Sequence, residues 1–342
     1  MSDKNSTKND IGNVFLQILP KGLQNLRKYL RTDFYRESRN KSHKKLWQIL
    51  VVALLGAFGT HALALQNTAT NTKAKDSSLQ SKQAKEMRLV VLDPASIEII
   101  YLLGRQDSIK AIATMQQSHI YPQEHTSKLP SVGSFSNPSV EKILSLKPTL
   151  VILSLYSLGL KERLENLGIQ TAYLQADRLE DMYENIAKIA TLLGEEAKGA
   201  QLIDKTKREI NSLQATQQNQ KPQKSVIFLY SSNPLMAFND NSVIADILRL
   251  LGLQNKTIAT NVARPILSNE FLLKADPDIL ILGVQANDIS TLIAQNPALK
   301  NLKAYKNNAI FTYPKAHRLL RVSPTIVDGI KDLKSTLDSA TK

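Results

Sequence analysis

Three histidines, three arginines and three tyrosines between residues 119 and 321 hold most of the chemistry this chain offers. "HIYPQEH" places His119, Tyr121 and His125 in one short loop, and His317 stands alone near the far end. Imidazole and phenolate both ligate metals, so His119, Tyr121 and His317 are candidate ligand contacts, and His119, His125 and His317 a candidate metal-dependent centre. The spacing is loose for a preformed zinc site. Glu124 is the one carboxylate near the first pair, and none lies within five residues of His317, so a paired acid or base is missing. Arg264 lies in "ARP", and Arg318 and Arg321 in "AHRLLRVSP", each just ahead of an expected helix. Guanidinium groups stay charged and grip oxyanions in a bidentate way, so a carboxylate-rich ligand suits them, unless they are solvated surface arginines. Tyr156 and Tyr230 follow expected strand ends, where they either stack on a ligand or fill a lobe core. The chain contains no G-x-G-x-x-G, P-loop, G-x-S-x-G or H-E-x-x-H motif, which leaves the common nucleotide, hydrolase and zinc-protease chemistries without a carrier.

The elements that must position these residues alternate. "RLVVL", "IKAIA", "LVILS" and "TAYLQ" read as strands, separated by helices near 96–103, 138–146, 158–167 and 179–193. "SVIFLY", "DILILG" and "AIFTY" are strands of a second half, with helices at 243–251 and from Pro324 to about Leu337. This is an α/β pattern with largely parallel sheets. Between the halves, Ile203, Thr206, Ile210 and Leu213 form one apolar stripe, predicting a long helix over 195–217. The expected fold is therefore two Rossmann-like lobes, 88–194 and 224–340, joined by one backbone helix with a ligand cleft between them.

The halves also repeat each other. "LPSVGSFSNPSVEKILSLKPTLVI" and "LSNEFLLKADPDILIL" align at an offset of 129, with Ser139, Glu141, Leu144 and Pro148 opposite Ser268, Glu270, Leu273 and Pro277. Each serine is a candidate N-cap, each proline ends its helix, and four apolar residues follow as a strand covered on both faces. Each glutamate lies in a first helical turn, where the helix dipole favours a carboxylate.

The first 87 residues stand apart. Residues 1–45 are a basic extension, and "KSHKK" leads into the apolar run Leu46–Leu65, which ends in Ala62-Leu63-Ala64. This reads as an export signal cleaved after Ala64, or as an uncleaved anchor just long enough to span a bilayer. Residues 66–87 are a polar linker. Either way the lobes lie outside the inner membrane, in the periplasm. Of the net charge of +14, half belongs to residues 1–64, with 11 Lys/Arg against 4 Asp/Glu. The rest is scattered, without the basic aromatic patch of a nucleic-acid binder. The chain has no cysteine, so disulfides, thiolate sites and a lipid-modified cysteine are excluded.

Over residues 88–340 the chain resembles the helical-backbone substrate-binding proteins of ABC importers for iron–siderophore complexes, haem and cobalamin. The resemblance rests on the two repeat stretches, the helix-and-linker middle and the ending "IFTYPKAHRLLRVSP". It implies a monomeric binding protein, not an enzyme, with no cofactor of its own. Its partners would be a small-molecule chelate and an importer permease dimer with its ATPase subunits. It also implies that Glu141 and Glu270 project from the lobe tips onto permease arginines, the other reading being carboxylates that serve only their own helices. Haem-binding relatives carry a tyrosine directly after the Val-Gly of the opening stretch, and here that residue is Ser134. Cobalamin relatives favour cleft tryptophans, and the only tryptophan is Trp47, ahead of both lobes. The expected ligand is thus an anionic iron chelate, lined by His119, Tyr121, Ser134, Tyr156, Tyr230, Arg264, His317, Arg318 and Arg321.

Overall fold

The computed structural model describes residues 87–340 apart from 116–117, 216–223, 259 and 287. The basic extension, the apolar run and nearly all of the polar linker lie outside the described residues. No described helix is long and apolar enough to cross a membrane.

The first lobe contains β1 (Leu89–Val91), α1 (Pro94–Leu102), β2 (Ile109–Thr114), α2 (Gln123–Thr126), β3 (Ser131–Ser134), β4 (Asn137–Pro138), α3 (Val140–Ser145), β5 (Leu150–Leu153), α4 (Lys161–Asn166), β6 (Thr171–Tyr173) and α5 (Asp181–Leu193). Its sheet runs β4-β3-β2-β1-β5-β6, parallel except for the β3–β4 hairpin. The helix expected at 158–167 divides. A 3-10 turn covers Leu155–Leu160 before α4 begins, where the Ser157 hydroxyl accepts from the Ser154 N–H and donates to the Ser154 carbonyl, tightening that turn.

Gly194 ends α5 in the left-handed conformation, and α6 (Glu196–Ala215) then bridges the lobes. The two helices pack closely at Gly199, where a Cβ would meet the Ala190 Cβ at 2.4 Å. The stripe read from the sequence is the buried face of α6: Thr206, Ile210 and Leu213 are buried and Ile203 packs on the core.

The second lobe contains β7 (Ser225–Ser232), β8 (Leu235–Ala237), α7 (Val243–Leu250), β9 (Gln254–Asn255), α8 (Asn269–Ala275), β10 (Ile279–Gln285), α9 (Ile289–Gln295), α10 (Lys303–Lys306), β11 (Ile310–Tyr313), α11 (Ala316–Leu319) and α12 (Ile326–Ala340). Its sheet runs β11-β10-β7-β8, with β9 also pairing β7. The duplication extends to topology. β1, β5 and β6 are neighbours in that order, as are β7, β10 and β11, and α3 or α8 precedes the middle strand of each trio.

The repeat also holds face by face. Leu150 and Ile152 match Ile279 and Ile281, and all four join one core cluster. Val151 and Leu153 face a second cluster, Leu280 and Leu282 a third. That is why these strands read as unbroken apolar runs: both faces of each sheet are covered. The first cluster also takes in Ile210 and Leu213 of α6 and Ile330 and Leu333 of α12, so the inner faces of both lobes share one core.

Candidate functional site

The loops that follow the strand ends of the two lobes meet each other at two places. One meeting joins the segment after β2 to the segment after β11. Arg321 Nη1 donates to Glu98 Oε1 at 2.8 Å and to the His119 carbonyl at 2.6 Å, and Nη2 donates to Ser118 Oγ at 3.1 Å. At the other, Arg178, after β6, forks onto Asp246 of α7 with Nε–Oδ2 at 2.8 Å and Nη2–Oδ1 at 2.5 Å. The C-terminal edges of the two sheets therefore face one another, the side on which open α/β sheets hold their ligands.

From the first lobe, His119 and Tyr121 are exposed on the segment between β2 and α2. Tyr156, 53% exposed, lies in the turn after β5 and packs its ring on Phe135 at a centroid distance of 5.0 Å. Ser134 ends β3, half-buried, and its hydroxyl accepts from the Asn137 N–H at 3.1 Å. Leu155 beside Tyr156 is more exposed still. Neither Phe135 nor Leu155 stood out in the sequence, where each is one apolar residue beside a polar candidate.

From the second lobe, Tyr230 lies within β7 and not beyond its end. It is half-buried, edge-on to Phe238 with ring centres 5.8 Å apart. The Arg264 guanidinium sits 4.1 Å from the Tyr230 ring centre, a cation–π contact that fixes its direction. The segment bearing Arg264 is tied to β8 by main-chain bonds, Ala237 N–H to Pro265 carbonyl and Leu267 N–H to Leu235 carbonyl. It exposes Val262 and Ile266 alongside.

His317 and Arg318 ride on α11, which presses on β10 at Gly283. A Cβ there would meet the Ala316 Cβ and the Phe228 ring, each at 2.7 Å. Burial first, then the charges of Arg321, Arg318 and His119, push the His317 imidazole below its ordinary pKa. Burial and its cationic neighbours therefore favour the neutral form of His317.

Arg264 and Arg318 make no ion pair among the described residues. Arg321 does not belong with them. Its side chain is 8% exposed, with Nη1 donating to Glu98 and the His119 carbonyl and Nη2 to Ser118. Expected as a ligand contact, Arg321 is instead buried beside a carboxylate 223 residues away and bridges the lobes. Glu98 and the Arg178–Asp246 fork were likewise missed. A lone glutamate in the apolar helix "PASIEIIYL" was the available signal, since buried carboxylates need partners.

The metal-dependent alternative also fails geometrically. His125 pairs with Glu124 at 3.9 Å and faces the Tyr101 ring, and no group of three or more metal-binding side chains forms among the described residues.

Away from the cleft, Ser139 and Ser268 cap α3 and α8, accepting from the N–H groups of Lys142 and Phe271. Glu141 and Glu270 stand exposed in the same turn of each helix. Their own backbone N–H groups, then the cap hydroxyls, hold both carboxyls below the usual range. Arg163 lies 3.3 Å from Glu141, whereas no ion pair reaches Glu270 among the described residues.

The chain matches the periplasmic binding protein family over residues 89–317. It is 25% identical over 292 residues to an Fe(3+)-citrate-binding protein of Bacillus subtilis, covering 78% of this chain and 87% of that one. It is 26% identical over 212 residues to a vitamin B12-binding protein of Pectobacterium carotovorum, covering 61% and 75%. Among solved structures, the periplasmic heme-binding protein RhuT of Roseiflexus superposes with a TM-score of 0.63 at 24% identity, covering 75% of this chain and 99% of that one. The vitamin B12-binding protein BtuF of Vibrio cholerae gives 0.60 at 22%, covering 75% and 98%. With two parallel-sheet lobes on one backbone helix and a family match over most of its folded length, the chain belongs to the periplasmic binding proteins of the helical-backbone type, which bind solutes for transport and are not enzymes.

Proposed function

We propose that this protein captures an anionic iron chelate between its lobes, in the periplasm, and delivers it to the permease dimer of an ABC importer. The observation that carries the ligand class is Arg264, aimed by the Tyr230 face at 4.1 Å and left without a carboxylate partner. Arg318 on α11 is the second unpaired cation of the same lobe. Burying such groups against a neutral ligand would cost solvation without return, whereas a chelate carrying carboxylate or other oxyanion groups supplies the missing charge. Tyr156, Phe135, Leu155, Val262 and Ile266 offer apolar contact for the organic frame of the chelate, and His119, Tyr121 and His317 offer donors at the rim. The relative that binds ferric citrate is consistent with this charge. Glu141 and Glu270 are the proposed permease contacts, one from each lobe tip.

The test is titration of the purified protein, separately, with ferric citrate, ferric siderophores, haem and cobalamin. Binding is followed by ligand absorbance or tyrosine quenching, since the lobes hold no tryptophan. An anionic ferric chelate should bind, and Arg264→Ala and Arg318→Ala should each weaken it by about 2 kcal/mol or more, with affinity falling as salt rises. Wild-type affinity in both variants, or preference for cobalamin, would refute the anion site.

A further inference from the structure

Glu98 stands where a charge is least expected. Its side chain is 1% exposed within α1, and Arg321 beside it is 8% exposed. Both make several hydrogen bonds. Glu98 Oε1 accepts from Arg321 Nη1 at 2.8 Å and from the Tyr121 N–H at 3.1 Å. Oε2 accepts from Thr325 Oγ1 at 2.5 Å and from the Ser323 hydroxyl. Arg321 in turn holds the His119 carbonyl and the Ser118 hydroxyl, with Met115 Sδ at 3.6 Å. The Ile120 carbonyl accepts from Thr126 Oγ1 at 2.7 Å.

Four successive residues, Ser118 to Tyr121, thus each end a polar group on a buried partner. What remains outside is the side chains of His119 and Tyr121. The groups that pin this first-lobe segment come partly from the second lobe: Arg321 directly, and Ser323 and Thr325 by holding Glu98. An ion pair in this position adds little to stability, because apolar side chains of similar size generally do as well. What it adds is direction, through the planar guanidinium that reaches a carboxylate, a carbonyl and a hydroxyl at once.

We infer that Glu98 and Arg321 form an interlobe positioning pair, which presents His119 and Tyr121 to the cleft and makes that presentation depend on the spacing of the lobes. The inference rests on the proposed reading that these two side chains face the ligand. Spreading the lobes would withdraw Arg321, Ser323 and Thr325 together, and the 118–121 segment would lose its anchors while the sheet behind it stayed intact.

The experiment uses ligand-free protein, so it decides the pair's role whatever the ligand proves to be. Hydrogen–deuterium exchange is measured for segment 118–122 and, as internal reference, for β1, β5 and α6. In the double variant Glu98→Met with Arg321→Met, the ion pair is replaced by apolar bulk. In Arg321→Lys the charge remains but a point charge cannot hold three acceptors. Both variants should keep the reference rates and the cooperative melt of the wild type. In both, the Tyr121 amide, whose N–H donates to Glu98, should exchange at least about tenfold faster as the segment loses its anchors. Should the double variant fail to fold, the lysine variant decides alone. Wild-type exchange in 118–122 from a folded variant overturns the inference, and so does faster exchange spread evenly over the reference strands, which would mark a purely structural pair.

Discussion

Replacing Asp246 with alanine removes the acceptor that holds the lobes together at the edge opposite Glu98. Its Oδ2 accepts from Arg178 Nε at 2.8 Å and from the Leu179 N–H at 3.1 Å, and its Oδ1 accepts from Arg178 Nη2 at 2.5 Å and Arg249 Nη2 at 2.9 Å. The carboxylate is 14% exposed and Arg178 is 43% exposed. Those two figures bracket the cost. A fully buried pair broken on one side costs about 3–5 kcal/mol, and an exposed pair about 1 kcal/mol or less. Here the freed guanidinium of Arg178 rehydrates, but the fork and the bond to the Leu179 amide are lost, so about 2–3 kcal/mol is expected. For a folded part of this size that is a drop in Tm of roughly 4–12 °C. Urea unfolding followed by far-ultraviolet circular dichroism measures it directly, because one core cluster spans both lobes and should melt as a unit. The double cycle with Arg178→Ala isolates the fork, for which a coupling of about 1 kcal/mol is expected. An Asp246→Ala variant within about 0.5 kcal/mol of wild type, or a cycle with no coupling, would show that the fork is surface decoration and that the lobes are held otherwise.

Three further outcomes follow from the same geometry. For Asp246, burial acts to raise the carboxyl, but bonds from Arg178, Leu179 and Arg249 outweigh it. Bonds from Ser225 hold Asp278 low, and those from Lys315 and Tyr313 hold Asp332 low. A depressed carboxyl contributes stability above its unfolded value and loses it as pH falls through the folded one, so acid unfolding should begin below about pH 4. Asp93, raised by burial, acts in the opposite sense, so Asp93→Asn should leave the acid limb unchanged or steeper, as an acid titration of the variant would show. Apo and ligand-bound scattering should give nearly the same radius of gyration, since α6, a shared core and two ion pairs all cross between the lobes, and a large change would count against that arrangement. Glu141→Ala and Glu270→Ala should leave ligand affinity unchanged and weaken vesicle transport, with Glu270→Ala the more severe because Glu141 is already partnered by Arg163.

What the sequence disclosed, and what it hid, divides along the range of the interactions. The caps at Ser139 and Ser268, the stops at Pro148 and Pro277 and the stripe on α6 act within a few residues, so their spacing is visible in the chain itself. The repeat was legible for the same reason, and the structure extends it to the face on which each of Leu150–Leu153 and Ile279–Leu282 is buried. β9 is two polar residues with no apolar run to mark it, and β8 follows directly on the Asn233-Pro234 turn and reads as part of it. The site was legible only in part. Arg264, Arg318 and Arg321 looked alike in sequence, each a cation in a loop ahead of a helix. Their difference is set by what each meets in space: an aromatic face of its own lobe for Arg264, a buried glutamate of the other lobe for Arg321. Arginine count therefore overstates the positive charge left free, since Arg321 is paired with Glu98 whereas Arg264 and Arg318 form no ion pair among the described residues. On the proposed reading, a ligand matched to both would carry at least two oxyanion groups, one for the Arg264 segment and one for α11. Arg321, bound to Glu98 at 2.8 Å, instead ties one lobe to the other.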